Sequence, residues 1–153
     1  VGYNLEGNEL GAAFGLVQLT KLQQNIETRQ ANFQRQCAFF DKHSKYFINP
    51  KETNDCNTAW LAFPLLIKRD APFTRKDFQI YLENKNIQTR VVFTGNILRQ
   101  PMCQNINKKV LEAGYPNADN VMGRGVLLPL HHGLTEPMFE RFQATIEEFL
   151  RQY

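Results

Sequence analysis

The sequence predicts an α+β layer, a sheet of roughly three short strands packed with helices. Three observations predict it. Apolar residues recur at helical spacing over long stretches at both ends of the chain. Between those stretches, short apolar runs are bounded by Pro, Gly, Asn and Asp, as strands are. The periods follow the order helix, strand, helix, strand, short helices, strand, helix, which suits helices laid against one sheet. At 153 residues, 42% hydrophobic and 22% charged, the chain has the size and composition of one domain with its own core.

The first helix is expected over about 8–43. Ala12, Leu16, Leu19, Ile26, Phe33, Cys37 and Phe40 fall on one face. Leu10, Ala13, Phe14 and Val17 add a second apolar face to its first half, whereas 23–35 is polar outside the stripe. A helix that is apolar all round is buried all round. Its first half is therefore expected to pack against a further domain or a second subunit; plain internal core is the alternative. Gly11 and Gly15, four apart, permit a close neighbour.

A polar connector follows over 49–57, and then a strand over 60–67. Pro64 cannot donate to a ladder, so it points to an edge or a bulge. Thr74 is set to cap the next helix, with Asp77 at its third position and Phe73 placed to staple onto Phe78. That helix runs to about Asn84. A strand over 87–93 puts Ile87, Thr89, Val91 and Phe93 on one face and Gln88, Arg90 and Val92 on the other. The loop carrying Thr94-Gly95-Asn96 ends at Gln100-Pro101. Short helices are expected over 106–113 and near 118–122, with a short strand over 126–130. Thr135 caps the last helix and Pro137 fits its first turn. Met138, Phe142, Ile146, Phe149 and Tyr153 form its apolar face.

Composition narrows the function. The net charge is +3 and the basic residues are scattered, which argues against nucleic acid. No apolar run approaches the roughly 18 residues that span a bilayer, so no membrane partner is expected. Cys37, Cys56 and Cys103 are odd in number and far apart, which fits reduced thiols in the cytoplasm better than a disulfide framework or a metal knuckle. There is no phosphate-cradling glycine loop and no nucleophile elbow. His131 and His132 are adjacent, which sends their rings apart and makes a poor metal site. The chain starts without an initiator methionine and with no strand before its first helix, so it reads as a piece of a larger protein with a catalytic domain upstream.

Three blocks carry a resemblance. The first is Gly2-Tyr3-Asn4-Leu5 followed by Leu10-Gly11-Ala12-Ala13-Phe14-Gly15-Leu16-Val17-Gln18-Leu19. The second is Ile87-Gln88-Thr89-Arg90 with Gly95-Asn96-Ile97-Leu98-Arg99-Gln100-Pro101. The third is Val126-Leu127-Leu128-Pro129-Leu130-His131-His132-Gly133-Leu134-Thr135. In order and spacing they resemble the DegT-type sugar aminotransferases, fold type I enzymes that use pyridoxal 5′-phosphate (PLP). The first block looks like the segment just after the pyridoxal lysine, and the other two look like the substrate-side loop and the element before the last helix. The 95–101 loop most resembles the CDP-4-keto-6-deoxyglucose 3-dehydrase branch.

The resemblance implies that 1–153 is the small C-terminal domain of a homodimeric enzyme whose 8–43 helix lies at an interface. The implied substrate is a nucleotide-linked deoxysugar, and the cofactor is PLP or its amine form, pyridoxamine 5′-phosphate (PMP). The branch makes 3,6-dideoxyhexoses for lipopolysaccharide, and some members carry an iron–sulfur cluster upstream of this region. It implies no catalytic residue within this chain. Asn4 matches the asparagine that reaches the cofactor phosphate across the dimer, and Tyr3 matches its neighbour; a helix-start turn is the other reading of Asn4. Arg99 is placed to bind a nucleotide phosphate or to stand in solvent. Asn96 suits a sugar hydroxyl or a Gly-Asn turn. Arg90 suits substrate or a surface ion pair. His131 suits substrate or a structural role before the last helix, and that structural role extends to His132. Glu6 and Gly11 depart from the family, which usually has Lys or Arg and Gln at those positions, and Glu6 reverses a charge near an anionic cofactor. A sugar 3- or 4-aminotransferase and a non-catalytic interaction domain are the rival readings on the same scaffold.

Overall fold

Helix α1 (Glu9–Thr20) starts where Asn8 turns its side chain back to accept from the Gly11 amide at 2.7 Å. A computed structural model of the chain describes residues 7–153, so Tyr3 and Asn4 lie outside the described residues. The single helix expected over 8–43 is broken at Lys21, and α2 runs Leu22–Asp41. The Thr20 hydroxyl donates to the Val17 carbonyl at 2.8 Å, a back-bond that tightens and bends a helix end. The two halves differ as their sequences do. No residue of α1 is buried, while α2 buries Phe33, Gln36, Phe39 and Phe40.

Four strands form the sheet, one more than expected: β1 (Phe47–Ile48), β2 (Phe63–Ile67), β3 (Arg90–Val91) and β4 (Gly125–Leu128). Their order is β1-β2-β4-β3, antiparallel throughout. Pro64 was expected to mark an edge or a bulge, but β2 is central. Pro64 faces Leu127 on one side; on the other, β1 reaches only Leu66 and Ile67, so the missing N–H costs the sheet no bond from β1. Phe63, Leu65 and Ile67 alternate into the core.

The strand expected over 87–93 shortens to β3. Ile87 and Thr89 are buried as the alternation requires, but Val91 is half exposed although it pairs with Val126 of β4, and Phe93 stands exposed past the end of the pairing. Helix α3 (Arg75–Asn84) carries the full capping box: the Asp77 amide donates to Thr74 Oγ1 at 3.2 Å, and the Thr74 amide donates to Asp77 Oδ2 at 2.9 Å. Phe73 stacks over Phe78 with ring centres 6.2 Å apart, as a hydrophobic staple does. The helix expected over 106–113 does not form. Ile106, Val110 and Leu111 are all about half exposed, and a short helix without a packed face has nothing to offset its nucleation. Two 3-10 turns, Ile97–Arg99 and Pro101–Cys103, lead towards α4 (Pro116–Arg124).

The last helix, α5 (Glu136–Leu150), buries Phe142, Ile146 and Phe149 as expected, and Phe139, Thr145 and Leu150 besides. Met138 and Tyr153 are half exposed. Thr135 takes the N-cap position without a side-chain bond; instead Arg35 of α2 pairs with Glu136 at 2.5 Å. The core lies where α2, α3 and α5 meet the sheet. Phe40 sits at its centre, its ring 5.4 Å from Phe63 and 5.2 Å from Phe47.

Candidate functional site

A cavity of about 700 Å³ opens between the first turns of α5, the 127–131 segment and the 86–90 segment. Its walls are mostly apolar, with Leu127, Met138, Phe139 and Phe142 among them, and Arg90 and His131 also line it. Both flanking segments are held from behind. The buried Gln36 donates to the Pro129 carbonyl at 2.6 Å, and Asn32 donates to the His131 carbonyl at 3.2 Å, so α2 fixes the exit of β4. His131 Nδ1 accepts from the Gly133 amide at 3.1 Å, which orients the ring. On the other side, Glu83 Oε1 accepts from the Thr89 amide at 2.5 Å and from its hydroxyl at 2.9 Å. That carboxylate sets the strand on which Arg90 sits, opposite Leu127. Arg90 is exposed, and the ion pairs among the described residues involve Arg35, Lys85 and Arg99 rather than Arg90. Its cation is available to an anion at the cavity wall. Arg141, also in the wall, is committed to the Lys85 carbonyl at 2.6 Å.

Asn96 and Arg99 form a second group, outside that cavity. The 94–103 segment is pressed onto α4: Gly95 has φ of +65°, and a side chain there would meet Met122 Cβ at 2.4 Å, so only glycine fits. Asn96 is 5% exposed, and both ends of its amide are engaged. Its Nδ2 donates to Asp119 Oδ1 at 2.8 Å, and its Oδ1 accepts from the Leu98 amide at 3.1 Å. Arg99 lays one edge of its guanidinium on the same carboxylate, Nε to Oδ1 at 3.1 Å and Nη2 to Oδ2 at 3.0 Å. The Arg99 guanidinium and the Asn96 amide hold the Asp119 carboxyl below the usual carboxylate range. Asp119 was not anticipated, because nothing within its own short helix distinguishes it; its partners lie 20 and 23 residues away.

The structure thus brings Arg90 and His131 to one cavity, and Asn96 and Arg99 to one carboxylate. Tyr3 and Asn4, expected at the cofactor phosphate, fall outside the described residues. His132 is exposed and does not line the cavity. Among the described residues no group of three His, Cys, Asp or Glu could hold a metal ion, and no helix is long and apolar enough to cross a membrane. Cys56 is exposed and Cys103 buried, and burial pushes the Cys37 thiol up to about 11.

The model of the DegT/DnrJ/EryC1/StrS aminotransferase family matches residues 1–147. The chain belongs to that family. It is 29% identical over 97% of its length to the lipopolysaccharide biosynthesis protein RfbH of Salmonella typhimurium, covering 34% of that protein. It is 32% identical over 98% of its length to dTDP-4-dehydro-2,6-dideoxy-D-glucose 3-dehydratase of Saccharopolyspora spinosa, covering 32% of it. The chain therefore spans about a third of the length of these curated relatives. Among solved structures, Escherichia coli GDP-4-keto-6-deoxy-D-mannose-3-dehydratase with bound hydrated PLP superposes with a TM-score of 0.76 at 26% identity, over 95% of this chain and 36% of that one. The fold is that of a domain of the fold type I PLP enzymes, as the resemblance implied.

Proposed function

We propose that the chain is the small C-terminal domain of a cytoplasmic, PLP- or PMP-dependent 3-dehydratase. Its substrate in this reading is a nucleotide-linked 4-keto-6-deoxyhexose, destined for the dideoxysugars of lipopolysaccharide. The observation that carries this is the 32% identity, over 98% of the chain, to a protein named as a 3-dehydratase of a dTDP-linked keto-deoxysugar. Similarity to the lipopolysaccharide biosynthesis protein RfbH supports that end use.

The described residues fit the substrate better than the cofactor. No lysine lines the cavity, so the group that would hold PLP covalently is not in this wall. The cofactor supplies the electron sink when bound. Tyr3 and Asn4 are assigned to its phosphate in the partner subunit, Asn4 as a neutral amide donor to anionic oxygens. Apolar walls with an available Arg90 and an oriented His131 suit a sugar that bears a charged tail. Arg99, forked on Asp119, keeps its outer edge for a phosphate of the nucleotide. Asn96 serves that loop through its amide bonds and meets a sugar hydroxyl only if one reaches its remaining amide hydrogen. Homodimerisation through α1 completes the site.

The family description names aminotransferases, and that favours the second reading, amine transfer to the same class of sugar. One experiment separates them. The intact enzyme is given PLP, L-glutamate and the CDP-, GDP- or dTDP-linked 4-keto-6-deoxyhexose, and the product is analysed by mass spectrometry. A 3-deoxy product is expected. An amino sugar that retains its 3-hydroxyl would replace the dehydratase reading with the transferase one.

A further inference from the structure

We propose that Asp119 is a positioning residue for nucleotide-sugar binding: it holds the Arg99 guanidinium with one edge fixed and the other turned to the ligand. This rests on Arg99 being a ligand of the nucleotide phosphate, as in the proposed function. A guanidinium carries five N–H donors in a planar fork. Asp119 takes Nε and one hydrogen of Nη2, which leaves both Nη1 hydrogens and the second Nη2 hydrogen on the opposite side. Three coplanar donors suit the oxygens of a diphosphate. The Arg99 side chain is 64% exposed, so without Asp119 nothing among the described residues would keep it in one rotamer. Asp119 can do this because its own helix is pinned. Arg75 donates to the Met122 carbonyl at 2.6 Å, Arg69 to Asn120 Oδ1 at 3.0 Å, and Arg124 to the Ile67 carbonyl at 3.2 Å, which ties α4 to β2 and the start of α3. The same carboxylate takes the Asn96 amide, so loop and guanidinium share one fixed reference.

A competing physical effect has the opposite sign. Asp119 is an anion beside a phosphate-binding cation, and through charge alone its removal would strengthen phosphate binding. Order and charge therefore predict opposite shifts in KM, and the measurement decides between them.

The test is a double-mutant cycle on the intact enzyme with Arg99→Ala, Asp119→Ala and the pair. KM and kcat are read on the CDP-, GDP- or dTDP-linked 4-keto-6-deoxyhexose that turns over fastest. The inhibition constant of the matching free nucleoside diphosphate gives a second readout, and the melting temperature is recorded for each variant. Arg99→Ala is expected to raise KM by about tenfold or more, as loss of a charge-assisted hydrogen bond does. Asp119→Ala should raise KM and the inhibition constant by roughly tenfold with kcat unchanged, and should add less than about twofold once Arg99 is gone, because coupled residues are not additive. Asp119→Glu should recover most of the loss. A KM that is unchanged or lowered in Asp119→Ala overturns the proposal, and so does an effect that adds in full to that of Arg99→Ala. If Asp119→Ala does not fold, the isosteric Asp119→Asn is read in the same cycle. If Arg99→Ala itself leaves KM alone, the phosphate role of Arg99 falls and this proposal falls with it. A raised KM in Arg99→Ala with none in Asp119→Ala sinks only the role of Asp119.

Discussion

Replacing Phe14 by glutamate places a charge in the middle of the bare face of α1. Phe14 is 68% exposed and no residue of its helix is buried, so the substitution removes nothing from the core. The domain's own stability should move by no more than about 0.5 kcal/mol. Association should respond differently if a second copy covers this helix. Full burial of a Phe side chain is worth about 1.5–3 kcal/mol. The 68% still exposed corresponds to about 1–2 kcal/mol of that. A two-fold interface uses every residue twice, so the dimer should lose about 2–4 kcal/mol. That is a dissociation constant roughly 30- to 700-fold weaker, at 1.4 kcal/mol per factor of ten. Sedimentation velocity over a concentration series of the intact enzyme reads the association, and urea unfolding reads the stability. An unchanged dissociation constant with a lowered unfolding midpoint would show that the same chain covers the helix, and would refute the dimer reading. No change in either would show that the face meets only water.

Two further outcomes follow from the core. Phe40→Ala should cost about 3–5 kcal/mol, because the side chain is 1% exposed and ringed by aromatic neighbours that cannot close the gap. At a urea slope near 2 kcal/mol per molar, the midpoint should fall by about 1.5–2.5 M; a loss under about 1 kcal/mol would mean that the core collapses around the hole. His43 sits edge-on to Phe39 at 4.9 Å with its buried Nε2 unpartnered, and burial lowers its pKa below 6.5 despite the opposing pull of Glu147. The unfolded chain therefore takes up the proton first, so this residue's contribution is whole above the unfolded pKa and declines as pH falls below about 6.5. Urea midpoints at pH 7.5 and 5.5 should drop for the wild type and drop less for His43→Gln; equal drops would assign the slope to other groups.

What was legible in the sequence was local chemistry and periodic pattern. The capping box of Thr74 and Asp77 could be read because both partners lie within one turn. The α2 and α5 faces could be read because a 3.6-residue period sustained over 15 to 20 residues is the mark of a helix with one buried side. Strand β1 was hidden because two residues carry no period. The break at Lys21 falls inside a continuous apolar period and so leaves no mark on it, and apolar residues at helical spacing over 106–113 look the same whether or not a surface waits to receive them. The family was legible in three blocks of residues. The grouping of the site was not, because only folding shows that Arg90 shares a cavity with His131 while Arg99 shares a carboxylate with Asn96. Gln36 shows the same limit in the core: a polar residue on an apolar helix face is placed there by a carbonyl 93 residues away.

The shortness of β1 and β3 bears on how this chain behaves in isolation. These two strands flank the sheet, and each is two residues long. A flanking strand is an open row of N–H and C=O groups, and a long one templates further strands from other molecules. Here each flanking strand is two residues long, and Pro50, two residues past the end of β1, has no N–H to offer. Fibre growth by strand addition therefore has little purchase, even while the helical face of α1 stands uncovered. A chain held apart can therefore stand with that face bare while its sheet edges offer no long template to its neighbours.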